Sequence, residues 1–442
     1  RGQRTPFAMG TLFSNLGDMF SMMGSVFSVV FSVWYILFPP LLYFIFKILW
    51  MLHANGHYGS GLKWVLLEII PPRDIEASPL PMESVFTSFC GTIKSPTAAE
   101  EFIKGEFPAS FSLELVSIEG QVHMYVRTQV AFRNLVEAHF YAQYPNVEIV
   151  EAEDYVHLVP KTMPNKDWDL WGVDFKLFRP DLYPIKSYKN FEETITGKMI
   201  DPLAGLIETM GKLGPGQHLW LQYIITPVNE KWYSTGQETI DEFLGKEKPK
   251  QVSLIGRLFS DILDVFMNIG RGLMAQEVVF GGGETADKKD DQPLEFRLSP
   301  GQKDVLKALE SNIGKQMFRT RMRMLYLGRR EVFSKATGVS AFIGGIKQFN
   351  DQNLNSMVPE DSSKTYANYI FVEERTRFRQ RRLLRRYMSR DSDPQSTRFL
   401  FSTEELATIF HIPDMGVLAP SLTRVSAKRG GAPANLPTQD LE

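Results

Sequence analysis

From Met19 to Leu52 the chain carries a single formal charge, Lys47. No other stretch constrains the fold as strongly. Val26 to Phe38 is almost wholly apolar, Pro39-Pro40 follows, and Leu41 to Phe46 resumes the apolar run. A bilayer core takes about 20 apolar residues in helical form. The segment therefore predicts a transmembrane helix over 19–55, kinked where two prolines each remove a backbone donor. A buried core helix, a cleaved signal peptide and a hairpin turning at Pro39-Pro40 are the competing readings. The basic flank of Lys47, Lys63 and Arg73 outweighs Arg1 and Arg4, which precede Met9, the earliest candidate start. That bias predicts a single pass through the inner (plasma) membrane with the soluble region cytoplasmic.

The rest of the 442 residues is too long for one ordinary domain. The 43% hydrophobic content of the whole chain supports packed cores. The net charge of −2 gives no whole-chain attraction to a polyanion, and the lone Cys90 excludes an internal disulfide and a Cys-based zinc site.

After 1–18, a tail, and 19–55, hydrophobic periodicity predicts an α+β domain over 61–160. Lys63 to Ile70 reads as a strand and Met82 to Ile93 as a helix. Ser110 to Ile118 and Val122 to Val126 alternate around Glu119-Gly120, a hairpin signal. Phe132 to Tyr144 reads as a helix and Val147 to Val150 as a strand. The order β-α-β-β-α-β is the split βαβ pattern of ferredoxin-like units. A second unit of similar order is expected over 165–350: a strand at Asp169–Phe178, a helix at Asp201–Leu213 and a strand at His218–Thr226. A helix at Thr235–Leu244, an insertion over 245–293 with an amphipathic helix, a helix at Pro300–Lys315, a strand at Gln316–Leu327 and a helix at Glu331–Ile346 complete it. A basic helical region over 360–427 follows, in which Thr403–Phe410 is a short helix capped by Ser402 with Glu405 at capping-box spacing. Residues 428–442 read as a linker.

Chemistry is sparse. Gly205 to Lys212-Leu213 approaches a phosphate loop but has one residue too many and no hydroxyl for magnesium. The histidines form no Cys/His cluster, Asp167 and Asp169 read as a solvated turn, and no G-x-S-x-G occurs. No catalytic residue, cofactor or metal ligand is expected, and the chain reads as a non-enzyme. The local extreme is Glu373 to Arg390, where eight arginines stand against two glutamates. Arg375, Arg377, Arg379, Arg381, Arg382, Arg385 and Arg386 are the candidate contact residues. They point to DNA phosphates, to anionic lipid, or to a solvated face or ion-paired subunit interface. Arg319, Arg321 and Arg323 alternate and read as a solvated strand face.

Several segments together resemble a known family. They are Trp64 to Ile69 with Pro72-Arg73, Ser78-Pro79, Met82 to Phe86, Tyr125 to Arg127, Arg133 to Ala138 and Tyr141 to Pro145. To these add Ser299 to Val305, Phe349-Asn350, Asn353 to Asn355 and Ser402 to Ala407. They resemble the N-terminal region of membrane-anchored HerA/FtsK-like ATPases, related to type IV secretion and conjugation motors, of candidate-phyla bacteria. In that family a segment like Pro433 to Pro437 leads into the motor. No phosphate loop stands in these residues, so the resemblance implies a separate or missing ATPase. It implies a membrane-anchoring and assembly module of a DNA- or protein-translocation machine, with the membrane, further copies of the chain and a HerA/FtsK-like ATPase as partners. A membrane-tethered nucleic-acid binder using Arg375 to Arg390 is the alternative.

Overall fold

A computed structural model describes residues 34–72, 78–94, 96–191, 200–228, 231–243, 298–390 and 398–414. The tail over 1–18, the first part of the apolar segment, the insertion over 245–293 and the linker over 428–442 lie outside them.

The first helix, α1 (Trp34–Gly61), contains Pro39 and Pro40. The membrane expectation is corrected here: among the described residues no helix is long and apolar enough to cross a membrane. Beyond the prolines, the apolar stretch Leu41–Leu52 spans about 18 Å at 1.5 Å per residue, against roughly 30 Å of hydrocarbon. Lys47 interrupts it, and the remainder turns polar at His53, Asn55 and His57. The single-pass, inner-membrane placement falls with it. Gly56, Gly59 and Gly61 lie within the helix. This region, with residues 94–108, forms a small compact unit. In it the Trp50 indole donates to the Phe102 carbonyl at 2.6 Å, and Tyr58 meets Phe107 edge-on at 5.2 Å.

The larger unit comprises residues 64–93 and the chain from Ala109 onward. Its first elements are β1 (Trp64–Ile70), α2 (Leu80–Phe89), β2 (Phe111–Ile118), β3 (Gln121–Gln129), α3 (Arg133–Gln143) and β4 (Glu148–Glu151). They are followed by β5 (Trp168–Leu177), α4 (Ala204–Gly211), β6 (Gln217–Pro227), α5 (Lys231–Phe243), α6 (Pro300–Ile313) and β7 (Met317–Arg329). The series ends with α7 (Ala341–Ile346), β8 (Met357–Pro359), α8 (Val372–Met388), β9 (Phe399–Ser402) and α9 (Thr403–Ile409). The fold is α+β, built on one mostly antiparallel nine-stranded sheet of order β4-β1-β3-β2-β6-β7-β5-β8, with β9 beside β7. In each half the first strand lies between the fourth and the third. The halves meet as β2 pairs β6 from Phe111↔Ile225 to Ile118↔His218. The two expected units thus share one sheet.

Alternation along the strands sorts side chains to opposite faces. Phe111, Leu113 and Leu115 of β2 join Leu219, Leu221 and Tyr223 of β6 and Met322, Met324 and Tyr326 of β7 in the main core, with Phe86, Phe89, Val136, Phe140, Leu206, Phe342 and Leu406 from the helices. The opposite face carries Val116, Trp220, Leu325 and Leu327, packed with Leu383, Leu384 and Tyr387 of α8.

The β2–β3 hairpin shows how local the register signal is. Glu119 has φ 52° and Gly120 φ 90°, the pair of positive angles that a two-residue turn of this hand requires. A Cβ on Gly120 would sit 2.4 Å from the Leu213 carbonyl oxygen. Gly120→Ala is therefore expected to cost about 2–3 kcal/mol, combining left-handed strain with a clash against backbone. Gly205→Ala on α4 meets nothing within 4 Å and should be neutral or slightly stabilising. Urea midpoints of the two variants check this, and equal midpoints would remove the turn argument.

Candidate functional site

The arginine run forms α8, and helical periodicity divides it. Gln380, Leu383, Leu384, Arg386 and Tyr387 are buried, whereas Arg375, Arg377, Phe378, Arg381, Arg382 and Arg385 are exposed. Beneath the buried side lies a row of polar residues in cross-strand register: Glu68↔Tyr125↔Glu114↔Gln222↔Arg323↔Asp174. Six adjacent strands contribute one residue each. Glu114, Gln222, Arg323 and Asp174 are buried, a placement that requires partners for each charge.

Arg390, just past the end of α8, closes the row. Its Nε and Nη2 donate to the Glu114 carboxylate at 2.8 and 3.0 Å, and Nη1 and Nη2 donate to Asp154 at 2.5 and 2.9 Å. Glu114 also accepts from Ser112 (2.6 Å), Tyr155 (2.7 Å) and Gln222 (3.0 Å). Burial pushes the Glu114 carboxyl up, but Arg390 and these donors more than offset it and hold the acid below its usual value. Burial would likewise weaken the Arg390 cation, yet Glu114 and Asp154 keep its guanidinium firmly charged. The Tyr155 and Tyr387 hydroxyls meet at 2.9 Å, and burial drives both phenols well above their ordinary value.

At the other end of the row, Arg323 Nε donates to Asp174 at 3.0 Å and Nη1 to the Arg386 carbonyl at 3.0 Å. Arg386 Nη1 stands 3.6 Å from Asp174. Burial outweighs both arginines and leaves the Asp174 carboxyl raised. Gly172 lets α8 approach: a Cβ there would lie 2.4 Å from Leu325 and 2.7 Å from Leu383.

The candidate contact residues therefore separate into groups. Arg386 is an internal strut. Arg379 Nη1 donates to the carbonyls of Lys364 (3.1 Å) and Tyr366 (2.6 Å), holding the preceding loop. Arg375 donates to the Asn368 carbonyl at 3.1 Å, and Arg377 to Glu373 at 3.3 Å. Arg381, Arg382 and Arg385 point outward. The expected solvated face of Arg319, Arg321 and Arg323 is corrected: only Arg319 is exposed, Arg321 and Arg323 are buried, and Arg323 donates to the Arg386 carbonyl of α8. Sequence reasoning also passed over Tyr369, Ile370 and Phe371, which are 92, 71 and 73% exposed, and Phe378, at 65%. Tyr369 (φ 71°) and Phe371 (φ 52°) are left-handed without being glycine, a strain that functional surfaces often store. The readable signal was an aromatic cluster directly before a basic helix.

Three of the segments that carry the resemblance meet around a cavity of about 580 Å³ whose walls include Asp304, Asn353, Glu404 and Glu405. Here the side chains hold the fold. Ser299 and Gln302 form the capping box of α6, and Ser402 and Glu405 the one expected for α9. The Ser299–Gln302 box shares that spacing and was equally legible. Asn355 donates to the carbonyls of Arg179, Pro180 and Tyr183. Lys189, at 2.6 Å, and Lys315 both reach Glu404.

The near-miss phosphate loop lies on α4, where Lys212 pairs with Glu208 at 2.9 Å. Burial raises the Cys90 thiol to about 11, so it carries little thiolate at neutral pH. Among the described residues no group of three or more His, Cys, Asp or Glu could hold a metal.

Comparison with known families gives one match: a model described as a domain of unknown function, DUF8128, aligns with residues 107–424. No curated protein matches the chain.

Proposed function

The chain belongs to the DUF8128 family, and we propose that it is a non-enzymatic assembly module of a type IV secretion- or conjugation-like machine that translocates DNA or protein, acting with a HerA/FtsK-like ATPase. The observation that carries this reading is the N-terminal half of α8 with the loop before it. Tyr369, Ile370, Phe371 and Phe378 stand exposed beside Arg375 and Arg377. Interfaces are enriched in aromatics and arginine, and a few such anchors dominate their energy. This patch also rests on a rigid support, since Arg386 with Asp174 and Arg390 with Glu114 pin the C-terminal end of α8 to the sheet. The resemblance supplies the occupant, a HerA/FtsK-like ATPase, and the patch of arginines and exposed aromatics calls for an acidic surface with apolar pockets on it.

The test is co-purification with the HerA/FtsK-like ATPase of the same genome. Tyr369→Ala, Phe378→Ala, Arg375→Gln and Arg377→Gln, combined, should reduce capture at least about tenfold, since each lost anchor is worth roughly 1–2 kcal/mol. Undiminished capture would sink the reading, and a change in the chain's own mass would assign the patch to a second copy instead.

A second reading, nucleic-acid tethering, draws support from Phe378 lying among Arg375, Arg377, Arg381 and Arg382, an aromatic-and-cation surface suited to single strands. It requires affinity that falls steeply with salt, with a slope of about −0.7 per phosphate neutralised on a single strand.

A further inference from the structure

The C-terminal half of α8 faces a different feature. Between it and the segment Asp154–Thr162 lies a cavity of about 460 Å³. Arg381 and Arg385 line one wall and His157, Lys161 and Thr162 the other. Arg381 and Arg385 are one helical turn apart, so both guanidinium groups reach the same space. Neither they nor Lys161 bonds or ion-pairs through the side chain with any described residue, unlike the neighbouring Arg386 and Arg390. The acid at the edge, Asp154, has both oxygens bonded to Arg390, at 2.5 and 2.9 Å. Its charge is thereby answered from within, and the three free cations are not.

The two walls are also fixed relative to each other. Arg390 ties the end of α8 to Asp154, and the Tyr155 and Tyr387 hydroxyls join the same two segments at 2.9 Å. The cleft is preformed, which removes the ordering cost of gathering cations around an anion. Two planar guanidinium forks, an ammonium and the Thr162 hydroxyl match the several acceptor oxygens of a phosphoryl group better than they match one carboxylate. Val156 and Met388 complete the lining with an apolar surface.

From this geometry we propose that the cleft between α8 and Asp154–Thr162 is a binding site for a small phosphomonoester, with Arg381, Arg385 and Lys161 holding the phosphoryl oxygens and Val156 and Met388 flanking the organic part. The site is independent of the docking patch, which occupies the opposite half of α8.

The test is titration calorimetry of the full chain with inorganic phosphate and with adenosine monophosphate. Binding is expected with both, tighter for the nucleotide if the apolar wall is used and equal if the phosphoryl group alone is read. Arg381→Gln with Arg385→Gln should weaken it at least about tenfold, the loss expected when charge-assisted bonds are removed. Lys161→Gln, on the other wall, should weaken it independently. Arg375→Gln with Arg377→Gln removes the same charge outside the cleft and should change affinity less than about twofold. Absence of binding to both ligands in the unaltered chain would overturn the site. So would equal weakening by the two arginine pairs, which marks general electrostatics. An unphosphorylated thymidine oligonucleotide that binds through Arg381 and Arg385 without being displaced by phosphate would assign these residues to nucleic acid instead.

Discussion

Replacing Arg390 with methionine is expected to destabilise the protein by about 3–5 kcal/mol, the cost of leaving a buried charge without its partner. Glu114 is fully buried, and Arg390 provides two of its hydrogen bonds and its only cation among the ion pairs described. The same change frees Asp154 and unpins the end of α8, so protease cleavage within α8 should accelerate. Trp220 reports the event, since its ring lies 5.4 Å from that of Tyr387. Arg381→Gln with Arg385→Gln is the contrast, with an expected effect within about 0.5 kcal/mol because both side chains are exposed and unpaired. Urea unfolding followed by tryptophan fluorescence decides the matter. If Arg390→Met costs no more than the exposed pair, the ion-paired row does not hold the helix. Acid should act in the same direction as the substitution. Glu114 and Asp154 both titrate below their usual values in the folded chain. Their contribution is present above pH about 4.5 and is lost as pH falls through the lowered folded values.

The opposite pH dependence is expected at Glu405. Burial raises its carboxyl from 4.5 to about 7, against the opposing pull of the Ser402 and Ile185 amides. Between those values the folded state keeps a proton that the unfolded chain has released. Stability therefore falls as pH rises from about 4.5 to about 7, by on the order of 3 kcal/mol at ~1.4 kcal/mol per pH unit, and is level above that. Glu405→Gln carries no titrating proton and still suits the capping box. Its stability curve should be flat across that window relative to the unaltered chain, whatever its absolute value. Chemical unfolding at half-unit pH steps measures the difference curve. Parallel curves would mean that Glu405 is ionised throughout, held by the Ser402 and Ile185 amides and the Ser402 hydroxyl.

Much of the larger unit's framework is legible from residues close together in the chain. The alternation of Phe111, Leu113 and Leu115 returns after Glu119-Gly120 in Val122, Met124 and Val126, and the turn forms with both angles positive. The Ser402–Glu405 spacing predicts a cap, and the cap forms. Each of these signals resides within one element, where backbone geometry and side-chain period act directly. The apolar segment shows the limit of such reading. Hydropathy measures what a stretch prefers, while spanning also needs an uninterrupted length that the described helix lacks.

The arginines show the same limit from the opposite side. Sequence alone determined that eight of them crowd into one short stretch, interrupted by Leu383, Leu384 and Tyr387. It could not say that Arg386 and Arg390 face inward, or that Arg321 and Arg323 are buried. Those outcomes depend on β2 meeting β6 and on a polar row assembled from six strands. The partners Glu114 and Arg390 are 276 residues apart in the chain. A charge is silent about its environment until a distant element removes the water around it, so which arginines hold the fold and which remain free to bind was decided only by tertiary packing.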